Sequence, residues 1–504
     1  MLRVEGSAKR LCDGLSRRDL LRVGSLGFLG LADWLRLAET QAQTPAPRSF
    51  GRAKQCILLF LFGSPSQHDT FDPKPDAPEN VRGELRPIST SVPGTQICEL
   101  FPRLARMIDR TTVVRSMTHP YPIHGVAYAM TSTPTLDIPM QLNPRDPRNW
   151  PFIGSVVDYL DEQGALTPGP SPRGRGGIPE VPRNIGLPWL LSSRHGHPAL
   201  DAGPYGHFLG AAYDPVWTEF EGEATEELNW FREPYRDPYA GVRPDDCRFP
   251  LGADVLSSDV TLGRLEERTS LLRRFDEASR AFAEQEAPRR FDRHQRRALS
   301  MLQTSRTRDA LDITHEAMPM RERYGMHLFG QATLAGRRLI EAGSKFVTVL
   351  WDDYHHLQSA WDTHNWHYPK MREMLCPGLD QTLTALLDDL QARGLLDETL
   401  VVLMSEHGRT PIVRDGPRIV GGGRDHWSRV YSMLLAGAGI AQGRVVGRSD
   451  RLGGDVLETP VSPKDILATM YHLLGIDPHT TITDRQGRPQ PVAGEGRVRF
   501  ELLA

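Results

Sequence analysis

Three groups of histidine and acidic residues in this 504-residue sequence each follow a short apolar segment. The apolar segments are residues 55–62, 345–350 and 400–404. Because a neutral imidazole donates a lone pair and a carboxylate offsets positive charge, such groups suit borderline divalent metals, zinc first and manganese second. The members are His68, Asp69 and Asp72 in the first group, Asp352, Asp353, His355, His356, Asp362, His364 and His367 in the second, and Glu406, His407, Asp425 and His426 in the third.

The apolar segments before these groups have the length and composition of buried parallel strands. Residues 111–115 and 431–435 predict two further strands, and a helix is predicted after the first of them, over residues 124–130. A leucine stripe predicts a helix over residues 379–390, and a cap followed by proline predicts another that begins at Pro463. Strands that alternate with helices indicate an α/β fold with a mainly parallel central sheet and helices on both faces. Because the carboxyl ends of parallel strands meet at one edge, we expect the polar groups to converge there.

The middle of the chain, residues 134–342, has a weaker pattern and is predicted to be a loop-rich and helical insertion. Residues 167–177 are rich in proline, glycine and arginine, which is typical of a flexible surface loop without a function of its own. The mixed charges of residues 262–342 favour solvated helices over a binding patch. We therefore expect one large domain, residues 49–504, that contains this insertion.

The charge balance and the cysteine content exclude several classes of protein. The 60 basic and 63 acidic residues give a net charge of −3, so no basic excess indicates a nucleic-acid partner. With 39% hydrophobic residues, the chain is neither a multi-span membrane protein nor a wholly disordered one. The five cysteines have no Cys-x-x-Cys spacing, which argues against a disulfide scaffold or a zinc ribbon and assigns no bridge.

The N-terminus has the features of an export signal. Residues 16–21 read Ser-Arg-Arg-Asp-Leu-Leu and precede an apolar run, residues 23–32, that is too short to span a membrane. The pair Arg17 and Arg18 resembles a twin-arginine signal, which exports folded proteins. The alternative is an amphipathic helix with a chance arginine pair. We expect residues 1–48 to be signal and linker, the twin-arginine machinery to be a partner, and the mature chain to be periplasmic or secreted without a transmembrane span.

Five short motifs together resemble one known family. They lie at residues 63–74, 114–117, 361–364, 405–411 and 423–427. With the export signal, they are similar to the DUF1501 family of uncharacterised exported proteins, and the resemblance extends from about residue 50 to the C-terminus. That family resembles a branch of the alkaline phosphatase-like superfamily, which includes phosphatases, phosphodiesterases, metal-dependent mutases and sulfatases. The resemblance implies an alkaline phosphatase-like sandwich with a two-metal site at the carboxyl ends of the strands.

The resemblance also implies roles for individual residues. A metal carboxylate follows the first strand in the superfamily, which favours Asp69 over Asp72 in that role. The nucleophile is expected where the helix after the second strand begins, at Thr118 with Ser116 as second choice, because a helix N-terminus helps to hold an anionic group; Thr118 also suits a simple helix cap. Arg409 either clamps an oxyanion or pairs with a neighbouring glutamate. The expected metal ligands are Asp69, Asp362, His364, Glu406, His407 and His426.

Two functions from different classes follow from these expectations. The first is an exported metal-dependent hydrolase of phosphate or sulfate esters, with zinc or manganese as cofactor and an anionic small molecule or polysaccharide ester as substrate. The second is a binding or structural protein that keeps the fold without catalysis. A formylglycine-type sulfatase is a weaker third hypothesis because the sequence lacks Cys-x-Pro-x-Arg and Ser-x-Pro-x-Arg. A dinucleotide-binding fold is excluded because no Gly-x-Gly-x-x-Gly follows the first strand.

Overall fold

The apolar segments of the sequence form neighbouring strands of one eight-stranded sheet in the computed structural model of the protein. The structure describes residues 49–164, 181–194, 202–230, 234–251, 305–355, 360–417 and 419–504. The strands are β1 (Gln55–Leu61), β2 (Thr111–Met117), β3 (Asn184–Leu187), β4 (Val216–Trp217), β5 (Phe346–Trp351), β6 (Thr399–Met404), β7 (Tyr431–Ala436) and β8 (Arg444–Val446). The predictions for the export signal, for residues 167–177 and for helices over 262–304 lie outside the described residues.

Seven of the eight strands of this sheet run in the same direction. β1 pairs in parallel with both β5 and β6, and β3 continues the parallel set beside β5. β7 is the exception, because it pairs antiparallel with β6 on one side and with β2 on the other. From edge to edge the order is β8-β2-β7-β6-β1-β5-β3-β4. The predicted α/β fold with a mainly parallel central sheet is therefore confirmed.

β1 lies in the interior of the sheet, and its sequence explains why. Leu58 lies opposite Val402 of β6 on one side and Thr348 of β5 on the other. Every residue of β1 after Gln55 is buried. A parallel strand covered on both faces needs a nearly continuous apolar sequence, and each large apolar side chain buried in this way contributes about 1.5–3 kcal/mol. The strand thus gives the loop after it a rigid base.

The described part of the chain contains eleven α-helices. They are α1 (Glu79–Arg82), α2 (Pro102–Ala105), α3 (Val126–Met130), α4 (Ile138–Gln141), α5 (Ile153–Glu162), α6 (Ser305–Leu311), α7 (Met318–Tyr324), α8 (Leu328–Ala342), α9 (His367–Lys370), α10 (Cys376–Ala392) and α11 (Pro463–Leu473). α8 packs against β5 and β1, and α10 packs against α8. Among the described residues, none of the helices combines the length and the apolar character that crossing a membrane requires.

The starts of two helices test the predictions made from the sequence. At α11 the predicted cap before proline is confirmed, because Ser462 accepts from the Asp465 N–H while Asp465 accepts from the Ser462 N–H. The helix predicted over residues 124–130 begins later, at Val126. Gly125, directly before it, has a φ of −91° and a ψ of 55°, which are not helical values. Thr118 therefore lies in a loop after β2 and not at a helix start.

The antiparallel strand β7 explains how a late part of the chain reaches the same edge of the sheet. Since β7 runs against its neighbours, its amino end lies where the other strands have their carboxyl ends. The lead-in to β7 forms a small ladder in which Arg409 lies opposite His426. The short two-stranded sheets are Pro87–Ser89 with Gln96–Cys98, Glu227–Leu228 with Tyr235–Arg236, Gly408–Arg409 with His426–Trp427, Arg414–Gly416 with Ile419–Gly423, Arg448–Ser449 with Val456–Glu458, and Thr481–Thr483 with Pro489–Pro491.

Candidate metal centre

Five side chains with metal-binding chemistry converge at the carboxyl edge of the sheet. They form two overlapping groups, one of three histidines and one of two histidines and an aspartate, and the ligand atoms within each group all lie within 4.8 Å of one another. The groups are His124, His407 and His426, and Asp362, His364 and His426. His426 belongs to both. The loops after β2, β5 and β6 and the lead-in to β7 each contribute at least one of these residues.

Close contacts within the centre join imidazole nitrogens to one carboxylate and to each other. Asp362 Oδ1 lies 3.1 Å from His364 Nε2 and 3.2 Å from His426 Nε2. The two Nε2 atoms are themselves 3.0 Å apart. His124 approaches the other oxygen, with its Nε2 3.6 Å from Asp362 Oδ2. Three imidazoles therefore surround one carboxylate at distances that a divalent ion could join by small side-chain movements.

In two histidines of the centre, a hydrogen bond from Nδ1 leaves the lone pair on Nε2 for a metal. His407 Nδ1 lies 2.9 Å from the carbonyl oxygen of Gly408, so it carries the proton and Nε2 carries the lone pair. That Nε2 atom is buried and has no hydrogen-bond partner among the described residues. His364 Nδ1 donates to Asp425 Oδ1 at 2.7 Å, which leaves its Nε2 as an acceptor as well. The residues present therefore fit a divalent metal of the zinc type.

The ionisation of the centre also suits metal binding. Burial lowers the pKa of His407 well below its ordinary value, and the nearby His426 and His124 lower it further, so the ring is neutral. Burial likewise lowers the pKa of His426. For Asp362 burial acts to raise the pKa, but the charges of Arg409 and His124 outweigh it and hold the pKa well below the usual range. Neutral imidazoles beside an ionised carboxylate are the protonation states that a divalent ion requires.

Glu406 orients His124 and is not a member of either group. Its Oε1 atom accepts from the Gly63 N–H at 2.9 Å and from His124 Nδ1 at 2.8 Å, and Oε2 accepts from Ser405 Oγ at 2.9 Å. Burial opposes ionisation, yet the hydrogen bond from His124 lowers the pKa of Glu406. Burial also opposes the charge on His124, but Asp362 and Glu406 raise the pKa of this histidine to about 10, so His124 would have to release a proton to bind a metal. Gly63, which donates to Glu406, requires glycine: its φ is +94°, and a Cβ atom there would lie only 2.2 Å from the Asp362 backbone nitrogen.

His124 is not among the ligands expected from the sequence. That expectation draws on three polar groups that follow β1, β5 and β6, whereas the segment after β2 is considered only for a nucleophile. His119 and His124 follow β2 as the other groups follow their strands, and this shared position is the available signal. The ring of His124 lies 4.3 Å from that of His426 and 5.4 Å from that of His407, measured between centroids.

Asp69 lies in a separate buried network. Its Oδ2 atom accepts from Ser66 Oγ at 2.6 Å and lies 3.0 Å from His367 Nε2 and 2.7 Å from Arg424 Nε. Because Asp69 belongs to neither group of ligand atoms, it is not one of the proposed ligands. The second-choice carboxylate, Asp72, pairs with Lys74 at 2.9 Å and is part of a turn.

The three residues expected in catalysis lie in different surroundings. Ser116 Oγ is buried in β2 and donates to the carbonyl oxygen of Thr459 at 2.6 Å. Thr118 is half-buried, and its backbone N–H donates to Val461. Arg409 is fully buried and donates to the carbonyl oxygens of Ser64, Gly63 and Arg424 and to Asp362. Arg409 therefore holds Asp362 in place and does not pair with Glu406.

The remaining acidic residues after β5 lie apart from the centre. Asp352 Oδ2 accepts from Trp189 Nε1 at 3.0 Å and from the Ser192 N–H at 2.7 Å, and Asp353 accepts from the Ala360 N–H at 2.7 Å. Both carboxylates are buried. His355 belongs to neither ligand group, and His356 lies outside the described residues.

The sequence as a whole matches one family model. Residues 53–503 match the model described as protein of unknown function, DUF1501. The chain belongs to the DUF1501 family. No curated protein matches the sequence significantly. The resemblance expected from the five motifs is thus confirmed, over nearly the whole of the described chain.

Several solved structures are similar to this member of the DUF1501 family, at low identity. A sulfatase, PsFucS1 from Pseudoalteromonas sp., is 11% identical with a TM-score of 0.36, covering 93% of this chain and 74% of that one. The lipoteichoic acid synthase LtaP from Listeria monocytogenes is 9% identical with a TM-score of 0.35, covering 90% and 77%. A Bacteroides thetaiotaomicron protein from glycosaminoglycan metabolism is 12% identical with a TM-score of 0.36, covering 84% and 73%. At these scores the likenesses carry no argument about activity.

Proposed function

We propose that the protein is a metal-dependent hydrolase of phosphate or sulfate esters, with zinc as the first choice of metal and manganese as the second. The observation that carries the proposal is the convergence of His124, Asp362, His364, His407 and His426 at one edge of the sheet. Histidine nitrogens gathered around one ionised carboxylate are a donor set for zinc and related ions. A bound divalent ion would supply Lewis-acid chemistry toward the oxygens of the ester group.

The protein's own residues have separate tasks in this proposal. Asp362 is held ionised by Arg409, and His124 is oriented by Glu406, so the shape of the centre is fixed before a substrate arrives. The half-buried Thr118 hydroxyl remains the proposed nucleophile because Ser116 is engaged with a backbone carbonyl. Attack by Thr118 would place the phosphoryl or sulfuryl group on its oxygen and release the alcohol, and water would then remove the group.

The first experiment measures metal content and turnover of the full-length protein. Elemental analysis should find zinc or manganese, and hydrolysis of 4-nitrophenyl phosphate or 4-nitrophenyl sulfate should be lost on chelation and return with the metal. His407→Ala should remove metal and activity, because it deletes a ligand whose Nε2 is free. His472→Ala is the matched control, since His472 is also buried but bonds Ser49. Absence of metal from the wild-type protein after add-back would overturn the proposal.

A second experiment concerns the nucleophile. Thr118→Ala should retain the metal and lose ester hydrolysis, whereas Thr118→Ser should keep a measurable rate because it retains the hydroxyl. Ser116→Ala serves as the comparison and should leave the rate within a few fold. Full activity in Thr118→Ala would assign the attack to water and remove Thr118 from the mechanism.

Export and the class of substrate are part of the same proposal. We infer that residues 1–48 direct the folded protein through the twin-arginine machinery to the periplasm or the exterior, where it meets anionic small-molecule or polysaccharide esters. The support is the Arg17 and Arg18 pair ahead of the apolar run. Replacing both arginines by lysine should retain the protein in the cytoplasm. Unchanged export of that variant would contradict the inference.

A non-catalytic binding protein is the second candidate, and two observations favour it. The buried guanidinium of Arg409 donates to four protein acceptors, and Thr118 does not lie at a helix start, so neither offers a ready site for an anionic group. Stoichiometric metal without turnover of either ester class would decide for this candidate. Turnover that depends on Thr118 would decide against it.

A further inference from the structure

We propose that Asp69 is a positioning residue that sets the separation of two of the loops that carry proposed metal ligands. One loop contains Asp362 and His364, and the other contains Asp425 and His426. The inference rests on the proposed function, because it concerns the same centre. Asp69 contacts none of the five proposed ligands in either group, so it acts on them through other residues.

The contact with Arg424 fixes the loop that leads to His426. Arg424 Nε lies 2.7 Å from Asp69 Oδ2, and both side chains are fully buried. The rest of the guanidinium is held as well, since Nη1 donates to Thr410 at 3.0 Å and Nη2 donates to Val81 at 2.9 Å. A buried arginine held on three sides cannot shift without exposing an unpaired charge. The backbone two residues before His426 is thereby fixed against β1 and its loop.

The contact with His367 fixes the other loop. His367 Nε2 lies 3.0 Å from Asp69 Oδ2, so this nitrogen carries the proton and Nδ1 accepts from Thr363 Oγ1 at 2.7 Å. Thr363 lies between Asp362 and His364 in the sequence and is itself buried. Restraining this hydroxyl therefore restrains both flanking ligands. The two loops also meet directly, because the Arg424 N–H donates to the Thr363 carbonyl at 3.2 Å.

One carboxylate oxygen thus connects a residue next to each of these two loops to the loop after β1. Ser66 Oγ donates to the same oxygen at 2.6 Å and holds the carboxylate in place. Groups behind the ligands of a metal centre commonly change metal affinity by about 10- to 100-fold when they are removed. Removing such a residue should therefore weaken metal affinity without changing which atoms bind the metal.

The first test uses Thr363, because its substitution removes no charge. Thr363→Val has nearly the same volume but lacks the hydroxyl that His367 accepts from, and Thr363→Ser restores that hydroxyl. Affinity for Co²⁺ is measured in the full-length protein by competition with a chromophoric chelator. We expect about 10- to 100-fold weaker binding for Thr363→Val and a change of less than about 3-fold for Thr363→Ser. Equal affinities in wild type and Thr363→Val would overturn the proposal.

The second test separates positioning from ligation by Asp69 itself. Asp69 Oδ1 is buried without a hydrogen-bond partner among the described residues, so ligation through this atom is the alternative. Asp69→Asn should bind Co²⁺ about 10- to 100-fold more weakly, yet show the wild-type visible spectrum at saturation. A saturated spectrum altered as in His426→Ala would overturn the proposal in favour of ligation. Asp380→Asn is the matched control, because Asp380 is also buried but accepts from the Arg103 and Leu104 N–H groups.

A measurement without metal distinguishes failure of this inference from failure of the proposed function. The Asp425 N–H donates to Thr410 Oγ1 at 3.0 Å, and its hydrogen exchange reports whether the second loop is held. Exchange should be faster in Thr363→Val than in wild type and Thr363→Ser, whether or not the protein hydrolyses esters. Identical exchange in all three proteins would overturn the positioning role. A wild-type protein that binds no metal would contradict the proposed function alone.

Discussion

Two polar clusters of the described chain, each with members in the segment after β5, differ in almost every physical respect. The candidate centre consists of histidines around Asp362, and three of its rings are only partly buried. The second, which we call the acidic cluster, consists of Asp237, Asp352, Asp353 and Lys370, all of which are buried. The charge of Lys370 acts on Asp353, Asp362 and Asp237, so this one lysine lies in the field of both clusters.

The difference shows that position after a strand does not by itself make a metal site. Asp352 and Asp353 follow β5 as closely as any residue of the centre, yet backbone and indole N–H groups use their oxygens. His364 and His407 instead bond through Nδ1 and leave Nε2 available. Free lone pairs allow a ligand to bind, whereas enclosed carboxylates with protein donors stabilise the fold.

The largest effect is expected from His426→Ala. Because His426 belongs to both groups of ligand atoms, its loss should weaken zinc affinity by more than about 100-fold. Asp353→Asn, in the acidic cluster, should leave zinc affinity unchanged because its carboxylate accepts from a backbone N–H. Competition against a zinc chelator measures both. Loss of zinc in Asp353→Asn would contradict the distinction between the two clusters, because it would show that the acidic cluster also belongs to the metal site.

The second effect concerns stability. Lys370→Met should lower the free energy of unfolding by about 3–5 kcal/mol, because it leaves buried carboxylates without a compensating charge. Lys464→Met is the matched control. Lys464 is also buried, but it donates to the carbonyl oxygens of Tyr128 and Thr131 and faces a tyrosine ring, so we expect a loss of about 2 kcal/mol. Urea unfolding at pH 7 gives both values; wild-type stability of Lys370→Met would show that the cluster needs no cation.

The fold could be predicted from the sequence because its signals are local. The continuous apolar segments that form β1, β5 and β6 are typical of covered parallel strands, and Ser462 before Pro463 marks the start of α11. α3 begins later than the sequence predicts, because Gly125, inside the predicted range, has non-helical backbone angles. The direction of the strands alone predicts the edge of the sheet at which the proposed ligands meet. These ligands are Asp362, His364, His407 and His426.

The composition of the centre could be predicted only in part, because side-chain pairing is not local. Asp69 has the residue type and the position of a ligand, and only the three-dimensional structure reveals Arg424 and His367 at its oxygen. Arg409 is close to Glu406 in sequence, which favours a pair between them, whereas folding places its guanidinium on Asp362. His124 escapes prediction because a lone histidine after two prolines carries no motif.

The third effect is a pH dependence that belongs to the acidic cluster. Burial raises the pKa of Asp237 to about 7, from an ordinary value near 3.8. The folded protein therefore keeps a proton that the unfolded chain releases, and this contribution to stability is lost as the pH rises from about 4 to about 7. Asp237→Asn lacks the loss, so its stability relative to wild type should increase over that range by an amount on the order of 2–4 kcal/mol.

Urea unfolding of Asp237→Asn and wild type at pH 5 and pH 8 checks this expectation. Asparagine can still accept from the Tyr239 N–H, so the substitution removes the charge and keeps that hydrogen bond. A stability difference that is the same at both pH values would contradict it, and would mean that Asp237 is ionised in the folded protein throughout.

The smallest effect is expected at the exposed rim of the centre, where Arg414 lies next to Asp425. Arg414 Nε lies 3.0 Å from Asp425 Oδ2, and both side chains are about 40% exposed. An exposed ion pair contributes at most about 1 kcal/mol and is screened by salt, so Arg414→Gln should weaken zinc binding by less than about 5-fold, and less still in high salt. Asp425→Asn should weaken zinc binding by about 10- to 100-fold. Asp425 Oδ1 keeps the proton on His364 Nδ1, and this leaves the lone pair on Nε2 for the metal. Zinc competition at low and high salt compares the two variants. Equal losses of zinc affinity in the two variants would show that Arg414, although exposed, is as important to the centre as Asp425.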